Sequence, residues 1–378
     1  MYHVKTMNKI SKIGLAELDD RFAISDTMEH EDAILVRSAK LHDYDFPAEL
    51  KCIARAGAGV NNIPLDRAAD AGIVVFNAPG ANANGVKELT IAALLLASRK
   101  ISQGITWVKE QSAAGADVAA VVEKGKSAYV GPEIMGKTLG VVGLGAIGVL
   151  VANAAAALGM KIVGYDPFLS VTHALNLTPG VEVVDTLPEL YAKADYISLH
   201  LPMNDATRGT LNEAAFAAMK DGVRIVNLAR GELVDTSALK AALDSGKCAA
   251  YVTDFPNSET AAMEGVVAIP HLGASTPESE DNCAMMAARE VKEYLDNGSI
   301  INSVNLPNLT MAWAAKTRVC VISKGADAAA IAGAVPAVAS ASNTRGAYAY
   351  TILDTDAAVD EAAIAAIPGV LRVRVLTR

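Results

Sequence analysis

Three short stretches of this 378-residue chain hold side chains that could work together. In NLARGELVD an arginine, Arg230, follows an apolar run. In TDFPNSE an acid, Glu259, follows the next such run, and in IPHLGAST an imidazole, His271, follows the one after. Arginine can grip a carboxylate through two parallel N–H bonds. Histidine titrates near neutrality, so it can take a proton and return it. A carboxylate on the far ring nitrogen fixes the tautomer and strengthens the base, as the third member of a triad does. Clamp, orienter and base are what hydride removal from a 2-hydroxy acid requires, because the hydroxyl proton must leave with the hydride while the acid group is held. Singly, each residue has a plainer reading, since an arginine after a strand is usually solvated and a loop histidine usually structural. Asp235 reads as the cap of the helix TSALKAALDSGK, and Ser275 with Glu278 fits a capping box. His200, inside a strand, reads as a packed residue close to a cofactor at most.

A hydride needs an acceptor. Between Lys137 and Lys161 the chain carries no charge, and by length alone that stretch could span a bilayer, for which about 20 apolar residues suffice. Its glycines argue otherwise. Gly143, Gly145 and Gly148 form GxGxxG after the β-branched apolar run Thr138 to Val142, and an Ala-rich helical stretch from Ala146 to Leu158 closes at Gly159. A second apolar strand, Lys161 to Tyr165, ends in Asp166, which completes a βαβ unit. The first glycine permits the tight turn, the second lets the backbone approach a pyrophosphate, and the third lets helix and strand pack closely. The helix N-terminus adds N–H donors and partial positive charge. Asp166 is placed to accept from a ribose 2′-hydroxyl, and no Lys or Arg follows before Lys193, so the expected cofactor is NAD rather than NADP. The expectation is therefore a dinucleotide fold, not a membrane helix.

The surrounding pattern predicts an α/β protein with two parallel-sheet Rossmann-like domains and a small α+β C-terminal domain. Residues 1–96 alternate strand and helix: strands at Ala33 to Arg37, Cys52 to Ala54 and Ile73 to Phe76, and a helix from Leu65 to Ala71 closed by Gly72. With a returning segment, 283–310, they form the expected substrate domain. RAGAGVNN, Arg55 to Asn62, reads as a strand-end loop touching a ligand. Lys87 to about Glu123 reads as two long helices interrupted near Lys100, leading into the NAD domain, 97–282. There the apolar strands Tyr196 to Leu201, Val223 to Leu228, Ala249 to Thr253 and Val266 to Ile269 each end at a polar loop, where parallel sheets place their ligands. Asp281 to Asp296 reads as a helix with Met285, Met286 and Val291 inward. Residues 317–378 alternate as half-buried antiparallel strands at Arg318 to Ile322, Ala347 to Ile352 and Val370 to Val375, with a helix from Ala357 to Ala366.

Composition narrows the class. A net charge of −9 argues against nucleic acid as a partner. Cys52, Cys248, Cys283 and Cys320 form no CxxC or Cys/His cluster, which argues for reduced thiols in the cytoplasm and no metal site. The amino terminus MYHVKTMNKISKIGLAELDD breaks every apolar run, so no signal peptide is expected there.

The order GLGAIG, NLARGELVD, DFPNSE, PHLGAST resembles the D-isomer-specific 2-hydroxyacid dehydrogenases. RAGAGVNN and NAPGANANGVKEL look most like the branch of that family acting on D-3-phosphoglycerate in serine biosynthesis. The resemblance implies Arg230, Glu259 and His271 as the catalytic set. It implies cofactor contacts at Gly143, Gly145, Ala146, Ile147, Gly148, Asp166, Pro202, Thr207, Leu228, Ala229, Asp254 and Gly273. On the substrate side it implies Arg55, with Ala58 and Asn82 through their backbone, while Lys124 or Lys126 could help meet a phosphate. Lys87 reads as a helix-start surface residue. The implied partners are a phosphorylated hydroxy acid and a second or further copy of the chain, as homodimer or homotetramer.

Some residues depart from the family pattern. Ala146 stands where many members carry arginine, and the loop between Glu259 and His271 is short. The tail resembles an ACT domain, βαββαβ, but Lys324 to Val335 is too short for a normal first helix and lacks the effector-site pattern, so an assembly role or a degenerate domain is expected rather than serine feedback. The same catalytic set would also serve a glyoxylate, hydroxypyruvate or other 2-oxo acid reductase. An NAD(H)-sensing scaffold on the same fold is the reading from another class.

Overall fold

Two parallel sheets and one antiparallel sheet carry the chain. The first stretch lays down β1 (Tyr2–Met7), α1 (Lys12–Leu15), β2 (Phe22–Ser25), β3 (Ala33–Val36), β4 (Cys52–Arg55), α2 (Leu65–Asp70) and β5 (Val74–Asn77). The middle holds α3 (Ala83–Ser98), α4 (Ile101–Ala113), α5 (Val118–Gly125), β6 (Thr138–Val142), α6 (Ala146–Ala157), β7 (Lys161–Tyr165), α7 (Val171–Leu175), β8 (Glu182–Val183) and α8 (Leu187–Lys193). It continues through β9 (Tyr196–Leu199), α9 (Glu213–Ala218), β10 (Val223–Asn227), α10 (Thr236–Asp244), β11 (Cys248–Thr253) and β12 (Val266–Ala268). The chain ends with α11 (Pro277–Asn297), β13 (Thr317–Lys324), α12 (Ala328–Gly333), β14 (Ala339–Arg345), β15 (Tyr348–Thr355), α13 (Glu361–Ala365) and β16 (Val370–Thr377). The computed structural model describes all residues 1–378, in two units: Met1–Asn82 with Pro277–Arg378, and Ala83–Thr276.

In the first unit the sheet runs β2-β1-β3-β4-β5, all parallel. Its inner strands are apolar on both faces because helices cover both. Helix α11 lies over this core with Cys283, Ala284, Ala287, Ala288 and Val291 buried. Met285 and Met286, expected inward, are only half-buried, because the small side chains take the closest face. Gly14 shows how tight that face is: a Cβ there would sit 2.4 Å from the Cβ of Ala284. Beyond α11 the chain returns to the sheet edge as expected, with Ser303 bridging Phe76 and the Val304 N–H donating to Val75 O at 2.9 Å.

The last carbonyls of a helix have no partner within it. At the end of α11 the tail supplies them. Arg374 donates to the carbonyls of Tyr294 (3.0 Å) and Leu295 (2.9 Å), Arg318 to Asn297 O (2.9 Å), and the Tyr350 hydroxyl to Gly298 O (2.5 Å). Arg318 also forms a bidentate pair with Asp354, both fully buried, at 2.7 and 2.8 Å. The tail is βαββαβ with sheet order β14-β15-β13-β16, all antiparallel. Strand β14, ASASNTR, was not foreseen, since it is a polar edge strand with no apolar face. One face of this sheet packs Val319, Val321 and Leu353 beneath Ile331 and Ile364, and the other adds Cys320, Ile322, Tyr350 and Ile352 to the core around Phe76 and Tyr294. Residues 317–378, expected as a third separate domain, thus share the first unit's core.

The second unit holds a seven-stranded parallel sheet, β12-β11-β10-β9-β6-β7-β8. The chain winds outward from β6 to β8, then restarts at β9 on the other side of β6. The β6/β9 boundary is the switch point where such sheets open a crevice. Helix α3, expected within residues 1–96, packs in this unit, burying Ala93 and Leu94 with Val141, Val149 and Ala152. The two expected helices are three, because Gly115 turns at φ +74° and Asp117 caps α5. The uncharged stretch after Lys137 is β6 and α6, and no helix is long and apolar enough to cross a membrane.

Two stability predictions follow from this packing. Arg318→Met would leave Asp354 buried without its partner and should cost about 3–5 kcal/mol in urea unfolding, whereas Lys240→Ala in the exposed Lys240–Asp244 pair should cost under about 1. Glu290, buried on α11, accepts from Asn302 Nδ2 at 2.7 Å through one oxygen, while the other has no partner, and burial pushes its pKa from 4.5 up to about 8. The unfolded chain releases that proton near pH 4.5 and the folded chain only near 8, so wild-type stability falls through this window. Glu290→Gln should therefore match wild type near pH 4 and gain on it progressively up to about pH 8 in denaturation midpoints.

Candidate active site

The GxGxxG turn joins β6 to α6 under steric constraint. Gly143 has φ +93°, and a Cβ on it would lie 2.6 Å from His200 O. A Cβ on Gly148 would fall 1.9 Å from Gly143 O, so only glycine lets the helix close on the turn. Gly145 differs, for a Cβ there would meet nothing within 4 Å. It opens the helix without a side-chain cap, which leaves the first-turn N–H groups, those of Ala146 and Ile147 among them, facing free space. Asp166, at the end of β7, accepts from Leu144 N (2.9 Å) and Phe168 N (2.8 Å). It therefore pins the glycine turn, and its two oxygens retain further acceptor capacity for a ribose. His200 packs just after β9 with Nε2 2.9 Å from Ser198 Oγ, and burial lowers its pKa to about 4. It is neutral near pH 7. In the loop after β9, Thr207 Oγ1 donates to Pro202 O at 2.6 Å.

The catalytic candidates lie at the carboxyl ends of β10, β11 and β12. Asn227, fully buried, shapes the first turn: its Nδ2 donates to Arg230 O (2.8 Å) and Tyr251 Oη (3.0 Å), and its Oδ1 accepts from Ala229 N (3.2 Å). Buried Leu228 lies within that turn. Arg230 Nη1 donates to Ala229 O at 2.6 Å, and its guanidinium carbon stands 5.1 Å from the centre of the Phe255 ring. The His271 ring packs on the same phenyl group, centroids 4.3 Å apart. Phe255 thus gathers Arg230 and His271. Asn227 and Phe255 were not singled out from sequence, although both lie inside the motifs, because apolar and amide residues there carry no chemical signal of their own.

Glu259 is not gathered with them. It is exposed at the start of a 3-10 turn held by Asn257, whose Oδ1 accepts from Glu259 N (3.0 Å) and Thr260 N (2.8 Å), and its carboxylate is not paired with His271. Both side chains are exposed, where attraction between charges is weak. The acid that interacts electrostatically with His271 is Asp254, 1% exposed, with the backbone N–H of Gly273 turned toward its carboxylate. Burial raises its pKa, and the positive charges of His271 and Arg230 pull it back down. Gly273 abuts it, since a Cβ there would be 3.6 Å from Asp254 Oδ2. Ser275 Oγ donates to His271 O at 3.4 Å instead of closing a capping box, whereas Asp235 caps α10 as expected, accepting from Ala238 N at 2.8 Å.

The expected substrate residues Arg55, Ala58 and Asn82 belong to the first unit. Arg55 Nε donates to Arg37 O at 3.0 Å, and Ala58 is exposed with its carbonyl accepting from Asn77 Nδ2 at 2.6 Å. Asn82 Oδ1 is buried without a hydrogen bond. In the second unit Lys87 donates to Asn84 Oδ1 at 2.6 Å, and Lys126 pairs with Glu123 at an exposed turn beside Lys124.

Comparison with known proteins gives this arrangement a family. Residues 91–273 match the family described as D-isomer specific 2-hydroxyacid dehydrogenase, NAD binding domain. The chain therefore carries the NAD-binding domain of the D-isomer specific 2-hydroxyacid dehydrogenases. It is 35% identical over 315 residues to the D-3-phosphoglycerate dehydrogenase of Methanocaldococcus jannaschii, covering 81% of this chain and 58% of that one. It is 40% identical over 299 residues to the enzyme of that name from Mycobacterium tuberculosis strain H37Rv, covering 76% and 53%. The chain thus spans little more than half the length of these curated relatives. Among solved structures, a glyoxylate reductase from Paecilomyes thermophila aligns with TM-score 0.66 at 28% identity, over 80% of this chain and 98% of that one. The NAD+-bound 3-phosphoglycerate dehydrogenase of Entamoeba histolytica aligns with TM-score 0.61 at 26%, over 82% and 99%.

The glycines separate fold from cofactor binding. Gly145→Ala meets no atom, so its melting temperature should match wild type while its NADH dissociation constant rises about tenfold or more in fluorescence titration. Gly148→Ala should lose about 1–3 kcal/mol of stability as well as NADH binding, because its methyl group overlaps the Gly143 carbonyl.

Proposed function

We propose that this protein is an NAD-dependent dehydrogenase that oxidises D-3-phosphoglycerate to 3-phosphohydroxypyruvate in phosphorylated serine biosynthesis. The observation that carries the reading is the packing of Arg230 and His271 on one phenyl ring, in an NAD-binding domain whose glycine turn has free space before it. The names of the curated relatives support the substrate.

The first turn of α6, with Ala146 and Ile147, would hold the pyrophosphate, and Asp166 the ribose. Pro202, Thr207, Leu228, Ala229, Asp254 and Gly273 would complete the cofactor site. NAD, when bound, supplies the hydride acceptor. Arg230 clamps the substrate carboxylate and prevents its rotation. A ring nitrogen of His271 takes the C2 hydroxyl proton, which leaves the oxygen free to become the carbonyl. Glu259 steadies the imidazolium from the far nitrogen, a contact that forms with substrate in place, as catalytic hydrogen bonds often tighten only in the complex. Arg55, with backbone at Ala58 and Asn82, meets the phosphate end, which makes the first unit the substrate domain. Helices α4 and α5 bury no residue of their own, and Ile101, Ile105 and Val108 line one exposed face of α4, which supports a homodimer or homotetramer joined through the NAD domains. Four buried, unpaired thiols suit the cytoplasm.

A second reading keeps this mechanism with glyoxylate or hydroxypyruvate, and the glyoxylate reductase among the structural neighbours favours it. NADH formation at alkaline pH from D-3-phosphoglycerate, D-glycerate and D-lactate decides between them. The expected outcome is turnover of the phosphorylated acid alone, falling about 10²–10⁴-fold in His271→Ala. Turnover of the unphosphorylated acids instead would select the second reading. NADH binding without turnover of any acid would leave a sensing scaffold.

A further inference from the structure

We propose that the C-terminal βαββαβ module positions the Arg55–Val60 loop of its own chain, and that Arg345 is the positioning residue through which it does so. The two-residue turn between β14 and β15, with Gly346 at φ +58°, fixes where Arg345 can reach. From there Arg345 Nη1 donates to Ser303 O at 2.9 Å, and its neighbour Asn343 Nδ2 donates to Asn308 O at 2.7 Å. The hairpin therefore grips both ends of one strap, which is itself closed by Ser303 N donating to Asn308 Oδ1 at 2.8 Å.

That strap is the last rung of the first sheet. Val304 N donates to Val75 O (2.9 Å), Asn305 Oδ1 accepts from Val75 N (2.8 Å), and Asn302 O accepts from Asn77 N (3.5 Å). The end of β5 in turn holds the loop after β4, with Asn77 Nδ2 donating to Ala58 O (2.6 Å) and Ala78 N to Gly57 O (3.0 Å). Each carbonyl on this route is fixed by a donor on the next element. A shift of the hairpin is therefore passed to the backbone around Ala58 as a change in hydrogen-bond register. The module is also held on α11 by buried side chains, so it cannot swing as an independent lobe. The inference rests on the reading of the Arg55–Val60 loop as the phosphate-side substrate loop.

Arg345 is exposed, so its variants should fold. In full-length Arg345→Ala, amide hydrogen exchange at Gly57 and Ala78, whose N–H groups donate to Arg55 O and Gly57 O, should speed up, and KM for D-3-phosphoglycerate should rise, each by about threefold to tenfold, with kcat and the NADH dissociation constant unchanged. Arg345→Lys, which keeps one donor, should recover part of both effects. Adding Arg345→Ala to Asn77→Ala should produce no further increase, since the route is already cut. Faster exchange confined to residues 303–308 and 343–348, with the loop still protected, would overturn the proposal, as would an additive double variant. If the wild type oxidises no hydroxy acid, the functional reading falls, and loop exchange alone still decides whether the module positions the loop.

Discussion

A helix that ends inside a protein must find donors for its last carbonyls, and α11 ends in the interior of the first unit. Side chains from β13, β15 and β16 meet that requirement, so the tail is a layer of the unit rather than an appendage. The two cations are neutralised differently. Arg318 has the carboxylate of Asp354, which also accepts from Ala314 N at 2.8 Å. Arg374 faces no acid. It rests on the two carbonyls at the negative end of the helix and on the Tyr294 ring, 4.4 Å from its guanidinium carbon. A helix dipole and an aromatic face each stabilise a cation modestly, and more strongly where water is excluded. The long helix therefore holds the tail by its charge as well as by its apolar face.

The second unit depends on close approach instead of charge. At the β6/β9 boundary the chain brings the Gly143 turn against the His200 carbonyl and α6 against Gly143 itself, leaving no room for a methyl group at Gly148. Groups that aim side chains at the crevice are themselves anchored to backbone: Asp166 to the glycine turn, and Asn227 to the turn carrying Arg230. This moves rigidity from the sheet to the loops, where parallel sheets bind ligands.

Much of this was legible in the sequence because strands buried on both faces spell continuous apolar runs, as in β6, β9, β10 and β11. Polar strands were not: β1 carries a single buried residue, Val4, and β14 is an edge strand of small polar residues. Val370-Leu-Arg-Val-Arg-Val375 reads from its alternation only as a half-buried strand. Arg374 is in fact buried against α11, because the arginine-bearing face is the one that packs on the first unit. Alternation identifies two faces of a strand and does not say which one meets water when cations have carbonyls to cap. In the site, the places of Arg230, Glu259 and His271 after apolar strands were legible, while the packing of Arg230 and His271 on Phe255 was not, since a phenyl ring carries no chemical signal of its own.

The two acids that follow β11 occupy different environments. Glu259 is exposed and unconstrained beyond its backbone turn, so it can move to a partner at little cost in desolvation. Asp254 is buried, a state that costs free energy unless hydrogen bonds and nearby positive charge compensate it. Burial raises its pKa, and His271, the Gly273 backbone N–H and Arg230 act against that rise. In the proposed reaction the buried acid would favour the cation that forms on His271 when it takes the proton, while the exposed acid can turn to the far ring nitrogen with substrate in place.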